Sequence, residues 1–480
     1  MGASGASAAR EDEEGFLARI ALRFAAWSAR WFPDAFVFAA IAVVVASAAA
    51  MLNGAPPQAV SKSFGDGFWS LISFTMQQVI VAISGYVIAS SPPAAKVIDK
   101  IVTLPRSGRG AIAFIAALTM LVSLLNWALS LIFSGLVVRA MAQRTEIKMD
   151  YRAAGAAAYL GLGCTWALGL SSSAAQLQAN AASIPKQLLE ITGVIPFTET
   201  IFLWQSGLMV LVLILVSTLV AFWSAPSGSC AVTAAMMGVD VKTRLEPPRK
   251  RERPGEWLEY SPILTILLVA LGLGWLIQEF AGKNPILTIS NLNTYNFALL
   301  MLGLLLHWRP RNFLDAATKA VPATAGMLIQ FPLYGGVAAI MTGAAAQDGH
   351  TLALRLAELF TGISTRESFP AIMGLYSAVL GFFIPSGGGK WILEAPYVMQ
   401  AANELKVHLG WAVQVYNSAE ALPNLVNPFF MLPLLGVLGI KARDIVGFTA
   451  LQLMIHAPIV LFLLWLLAGT LTYLPPTIPQ

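Results

Sequence analysis

The chain has 480 residues, 57% of them hydrophobic and 11% charged, with a formal net charge of +5. Soluble domains carry about 25% charged residues, so the composition excludes a soluble enzyme or binding module and predicts an all-α polytopic membrane protein. The positive balance does not point to nucleic acid, because the lysines and arginines are scattered over short loops instead of lining one face.

Residues 1–30 are small and polar, with acidic residues from Glu11 to Glu14, unlike the basic start of a cleavable signal. They read as a cytoplasmic segment before a retained signal anchor. A spanning helix needs about 20 apolar residues. The first membrane half, 31–225, offers uninterrupted spans at 32–53, 68–90 and 200–224. Between them lie a hairpin at 109–143, broken at Asn126–Trp127, and a helix at 151–187, broken from Gly169 to Ser173. A basic, proline-rich linker fills 226–257. The second half, 258–472, has spans at 258–281, 295–308, 325–345 and 444–470. Its hairpin, 366–404, is broken from Pro385 to Gly389, and its broken helix, 409–439, is interrupted from Pro423 to Pro428.

With the N-terminus in the cytoplasm and both hairpins re-entrant, lysines and arginines favour the inner side by roughly three to one. Reading either hairpin as a single span would spoil that bias. The halves also repeat one order of elements. "SFGDGFWSLISFTMQQVIVAISGYVIAS" (63–90) corresponds to "NFLDAATKAVPATAGMLIQFPLYGGVAAIMTG" (312–343). In both halves an amphipathic stretch, a broken hairpin, a broken helix and a last span follow. The cytoplasmic linker turns the second copy upside down. Interrupted segments at matching places in inverted halves are the sequence pointer to a secondary transporter's binding site.

Unwound backbone at membrane depth is tolerated where it is buried in protein or lines a watery cavity. Half-helix N-termini there suit a carboxylate, and the glycines are expected to take positive φ near a ligand. The candidate substrate-binding residues are therefore Asn126 and Trp127 at one hairpin tip, and Ser386, Gly387, Gly388, Gly389 and Lys390 at the other. Ser171, Ser172, Ser173, Asn424 and Asn427 join them from the broken helices. Lys390 reads either as the partner of a substrate carboxylate or as a lysine snorkelling to outer water. Glu199 and Glu420 are the candidates for the coupling ion, H⁺ or Na⁺, since acids near a membrane are costly. His456 reads as a hydrogen-bonded core histidine. No catalytic motif, nucleotide loop or metal spacing is present, and Cys164 and Cys230 do not suggest a disulfide framework. No enzyme activity and no organic cofactor are expected.

The stretches "RWFPDAFVFA" (30–39), "LLNWALSLI" (124–132), "YRAAGAAAYLGL" (151–162), "PFTETIF" (196–202), "PSGGGKW" (385–391) and "PFFMLPLLGVLGIKARDIVGF" (428–448) resemble the short-chain fatty acid transporter family. This family comprises bacterial carriers for acetoacetate and butyrate. It is distantly similar to the ion-transporter superfamily of dimeric elevator carriers with inverted repeats. The resemblance implies a homodimer in the bacterial inner membrane that imports a small carboxylate with H⁺ or Na⁺. Three positions depart from the family pattern. "WALGL" (166–170) lacks a histidine, Lys390 replaces a glutamine, and Glu420 replaces an aspartate near Pro423. An added cation at Lys390 gives some weight to a C4-dicarboxylate or another small anion. A non-transporting membrane sensor on the same fold is the reading from a different class.

Cysteines introduced singly at Arg106, Lys148, Lys250 and Pro310 should be labelled from the cytoplasm, and those at Lys283 and His350 from outside. Position 250 outside together with 350 inside would overturn the inverted arrangement.

Overall fold

The computed structural model describes residues 35–228, 231–241, 251–382, 387–427 and 430–478. They form helices throughout, and the only paired extended backbone among them is an isolated bridge between Gly193 and Thr477. The first half runs through α1 (Ala35–Leu52), α2 (Pro57–Phe68), α3 (Ile72–Ala89) and α4 (Pro92–Ile101). A hairpin follows, of α5 (Gly108–Ser123) and α6 (Trp127–Ala142). Next come α7 (Tyr151–Leu160), α8 (Ser173–Gln178), α9 (Lys186–Thr192) and α10 (Trp204–Ser224). The second half opens with α11 (Ile263–Phe280) and continues with α12 (Leu292–His307), α13 (Pro310–Ala320), α14 (Ala325–Gly343) and α15 (Leu352–Ile363). Its hairpin is α16 (Phe369–Gly381) and α17 (Gly387–Glu404), followed by α18 (Leu409–Asn424), α19 (Leu432–Leu438) and α20 (Ala442–Ala468). Among the described residues, six helical stretches are long and apolar enough to cross a membrane.

The hairpin arms end early for local reasons. Asn126 leaves helical geometry and its side chain accepts from Leu129 N at 2.9 Å, capping α6. Ser107 caps α5, and Asp150 caps α7 with bonds from Arg152 N and Ala153 N at 3.0 Å. At about 1.5 Å per residue, the 13 residues of α16 and the 16 of α5 fall short of a hydrocarbon core roughly 30 Å thick. The broken helix of the first half changes winding before it breaks. Gly161–Thr165 form a π-turn and Trp166–Leu168 a 3₁₀ turn, which the sequence pattern does not announce.

The packing repeats as well as the order. α5 packs on α7 as α16 packs on α18, α10 on α5 as α20 on α16, α6 on α3 as α17 on α14, and α12 on α3 as α1 on α14. The last span of each half thus sits on the hairpins and broken helices. A bundle of hairpins, broken helices, α10 and α20 meets a frame of α1–α3 and α11–α14, chiefly along α3–α6 and α14–α17. The start of the expected linker is tied to the bundle. Val232 O accepts from Tyr151 N at 2.8 Å, Val232 N donates to the buried Asp150 at 2.9 Å, and Arg139 donates to Asp240 O at 2.7 Å.

Within the frame, α2 crosses α14 at backbone contact. A Cβ on Gly67 would stand 2.3 Å from Ala339 Cβ and 2.7 Å from Gly335 O, whereas one on Gly65 would meet nothing within 4 Å. Gly67→Ala should therefore force the helices apart, costing about 1–3 kcal/mol. Gly65→Ala should be neutral or slightly stabilising. Thermal unfolding of the purified protein in detergent checks this; equal midpoints for the two variants would contradict the crossing.

Candidate functional site

Ser171 and Ser173 of the first broken helix each lie beside one hairpin tip. At the first tip, Trp127 N donates to Ser171 Oγ at 3.0 Å and Leu170 N donates to Leu124 O at 2.7 Å. Gly169 allows this approach, since a Cβ there would lie 2.3 Å from Leu124 Cα. Asn126 also bonds Val81 O of α3 at 3.0 Å, and Tyr295 of α12 donates to Leu125 O at 2.5 Å. At the second tip, a Cβ on Gly388 would stand 3.2 Å from Ser173 Cβ. Ser172 lies between, buried, as the N-cap of α8. The structure thus brings together Asn126, Trp127, Ser171–Ser173 and Gly387–Gly389. Ser386 lies outside the described residues.

The second tip differs from expectation in one respect. Gly387, Gly388 and Gly389 form the first turn of α17 and do not take positive φ. Their value is close approach. A Cβ on Gly387 would come 2.4 Å from the Trp166 ring, and one on Gly388 would meet Phe74, Ser173 and Phe331 at 3.1–3.3 Å. Phe74 of α3 and Phe331 of α14 stack with centroids 5.8 Å apart, so the tip rests on an aromatic pair contributed by both halves of the frame. The Trp166 indole N–H is buried and has no acceptor among the described residues. The tip therefore has an aromatic wall and a helix N-terminus.

Lys390, one step further along α17, turns away from the tip. Its ammonium is fully buried, 3.0 Å from Glu394 Oε1 and 2.7 Å from Glu420 Oε2. It donates to Ser377 O at 2.7 Å and Ser377 Oγ at 2.8 Å, and lies 4.6 Å from the centre of the Tyr416 ring. Neither outer water nor an added carboxylate is its partner here; three donors already face four acceptors. Glu394 went unread in the sequence, although it stands one helical turn from Lys390, at the i,i+4 spacing of an ion pair. Gly381 leaves room for the cluster, since a Cβ there would meet Pro423 Cγ at 2.6 Å and Glu420 Oε2 at 3.2 Å. Tyr416 connects the cluster to the tip, its hydroxyl donating to Gly387 O at 2.5 Å.

Asn424 and Asn427 stand at the second break, and Glu199 and His456 on other segments. Asn424 reaches Leu162 O at 3.5 Å, and Leu425 fills the space beside Gly163, so the second break packs on the π-turn. Asn427 is buried beside it. Glu199 packs its backbone on Gly410, ten residues and about 15 Å along α18 from Glu420. His456 is buried with Nδ1 3.1 Å from Ser217 Oγ. A cavity of about 280 Å³ lies between α2, α9, α14 and α17, lined in part by Asp66, Ser70, Lys186, Ile392 and Pro396. Among the described residues no group of three or more His, Cys, Asp or Glu could hold a metal ion.

Residues 16–467 match the short chain fatty acid transporter family. A relative in Escherichia coli strain K12, named as a candidate short-chain fatty acid transporter, is 30% identical over 90% of this chain and 95% of its own length. A relative of the same designation in Haemophilus influenzae is 28% identical over 94% of this chain and all of its own length. Two solved transporters share the fold. YdaH of Alcanivorax borkumensis, described as having an unusual topology, gives a TM-score of 0.51 at 15% identity, covering 91% of this chain and 97% of that one. MtrF of Neisseria gonorrhoeae, described with a class of antimetabolite efflux pumps, gives 0.58 at 13% identity, covering 95% and 98%. The chain belongs to the short-chain fatty acid transporter family and is a multi-pass membrane transporter, not an enzyme.

Proposed function

We propose that the chain is a secondary active carrier that imports a short-chain fatty acid or keto acid, such as butyrate or acetoacetate, with H⁺ or Na⁺. The observation that carries this reading is the placement of Ser171 beside one hairpin tip and Ser173 beside the other. In this reading the substrate carboxylate lies at the N-terminus of α17, near the amides of Gly387–Gly389 and the Trp166 N–H. The short aliphatic tail lies against Phe74 and Phe331. Asn126 and Trp127 hold the opposite tip in place. Asn424 and Asn427 support the second break and do not touch the substrate. A C4-dicarboxylate loses its main support, since the cation that would take its second carboxylate is saturated by Glu394 and Glu420.

The protein works as a homodimer in the bacterial inner membrane, with its N-terminus in the cytoplasm and its halves inverted. The repeated packing supports an elevator movement in which the hairpins, broken helices, α10 and α20 travel together against the frame. The frame–bundle seam is formed by two equivalent helix pairs, α3–α6 and α14–α17, a geometry that one bundle can slide along.

Uptake of labelled butyrate into proteoliposomes tests the site. Gly388→Val should abolish uptake while leaving detergent stability largely intact, because the side chain displaces Ser173 and the aromatic pair. Trp166→Phe should weaken butyrate binding about 10- to 100-fold, the worth of one hydrogen bond to a charged group. Wild-type affinity in both variants would remove the substrate from this tip.

A further inference from the structure

Glu394, Glu420 and Lys390 form the one cluster of buried charges among the described residues in which the charges do not balance. Two carboxylates against one ammonium leave one negative charge in a site where all three side chains are at most 1% exposed. The outer oxygen of Glu420, Oε1, meets no hydrogen-bond donor among the described residues. A buried, unpaired anionic oxygen is among the costliest arrangements in a protein interior, and two carboxylates sharing one site do not both ionise readily. A proton on one of them cancels the surplus charge and turns an orphaned acceptor into an O–H donor.

We propose that Glu394 and Glu420, clasping Lys390, form a one-proton site, and that H⁺ is the carrier's coupling ion. The inference rests on the carrier reading above and chooses between its two ions. Na⁺ fits poorly. It would have to bind beside an ammonium already in contact with both carboxylates. The titratable groups that face the cluster from neighbouring helices are tyrosines: Tyr334 from α14, Tyr376 from α16, Tyr397 from α17 and Tyr416 from α18. His456 of α20, a helix packed against α16 and α18, turns to Ser217 instead.

Geometry also supplies a consequence. Ile392 and Pro396 line the cavity of about 280 Å³. Lys390 and Glu394 stand two residues earlier at each step, about 200° around the same helix. α17 is thus the wall between the cavity and the cluster. When the proton leaves, the surplus charge returns and favours separation of α17 from α18, which admits water. When a proton arrives from the cavity side, the arm seals. Tyr416 carries the change to the tip, with its ring beside Lys390 and its hydroxyl on Gly387 O. One proton is taken from one side and the same proton is released to the other, with no bond made or broken besides its own O–H.

Two measurements on the full-length protein decide the matter. Infrared spectroscopy of the purified wild type at neutral pH should show a protonated carboxylic acid that exchanges slowly with deuterium. Glu420→Gln and Glu394→Gln should each lose it, because the remaining carboxylate pairs with Lys390 as an anion. Absence of the band in the wild type, or its persistence in both variants, overturns the proton site whether or not the protein transports anything. In proteoliposomes, an inward H⁺ gradient should drive butyrate accumulation and alkalinise the outer medium, and an Na⁺ gradient at fixed pH should not. Accumulation driven by Na⁺ alone overturns H⁺ as the coupling ion and leaves the carrier reading standing. Failure of the wild type to exchange labelled butyrate or acetoacetate with no gradient overturns the carrier reading itself.

Discussion

Hydrocarbon offers no partner to a broken backbone, so each interruption of a membrane helix must be answered from within the protein. That constraint organises this structure. Leu170, freed where the first broken helix stops, donates to Leu124 O and accepts from Gln176 Nε2 at 2.8 Å. Gln176 is in turn held by Gln78 of α3 at 2.8 Å. At the first hairpin tip, Leu125 O is taken by Tyr295 and Trp127 N by Ser171; at the second, Gly387 O is taken by Tyr416. The breaks solve one another's hydrogen-bonding problem by meeting. Their meeting point is where polar groups, small residues and helix ends collect inside an otherwise apolar molecule.

The same logic explains the glycines. Gly169, Gly387 and Gly388 stand where two backbones or a backbone and an aromatic ring come closer than any side chain permits. Positive φ plays no part at Gly387 and Gly388. Because Phe74 and Phe331 reach that tip from two different frame helices, whatever shifts the tip also shifts its contact with the frame. The buried charge cluster sits behind it on the opposite face of α17. Breaking such a cluster by removing one partner typically costs 3–5 kcal/mol, so a change in its charge is large enough to govern how α17 packs on α18.

Much of this was legible in the sequence. The tracts 109–143 and 366–404 carry Asn-Trp and Pro-Ser-Gly-Gly-Gly interruptions that no spanning helix would tolerate, and the helices indeed stop at Asn126 and resume at Gly387. The serines at 171–173 stood out as hydroxyls beside broken backbone, and Ser171 and Ser173 each lie beside one tip. The partners of Lys390 were not legible in the same way. Glu394 sits at helical spacing from Lys390, but the spacing signals a pair only once 387–404 is known to be continuous helix through Pro396. Glu420 comes from another helix altogether, and no local pattern places it 2.7 Å from Lys390. The π-turn at Gly161–Thr165 and the placement of α10 and α20 with the hairpins are likewise products of tertiary packing.

The central claim is that a short-chain carboxylate binds where the breaks meet. A structure determined with butyrate bound tests it most directly. The account predicts the ligand between Gly387–Gly389 and Ser171–Ser173, its carboxylate toward the N-terminus of α17 and the Trp166 N–H, and its tail against Phe74 and Phe331. Butyrate found instead in the cavity beside Asp66 and Lys186, with Trp166 and the glycine tip untouched, would contradict it.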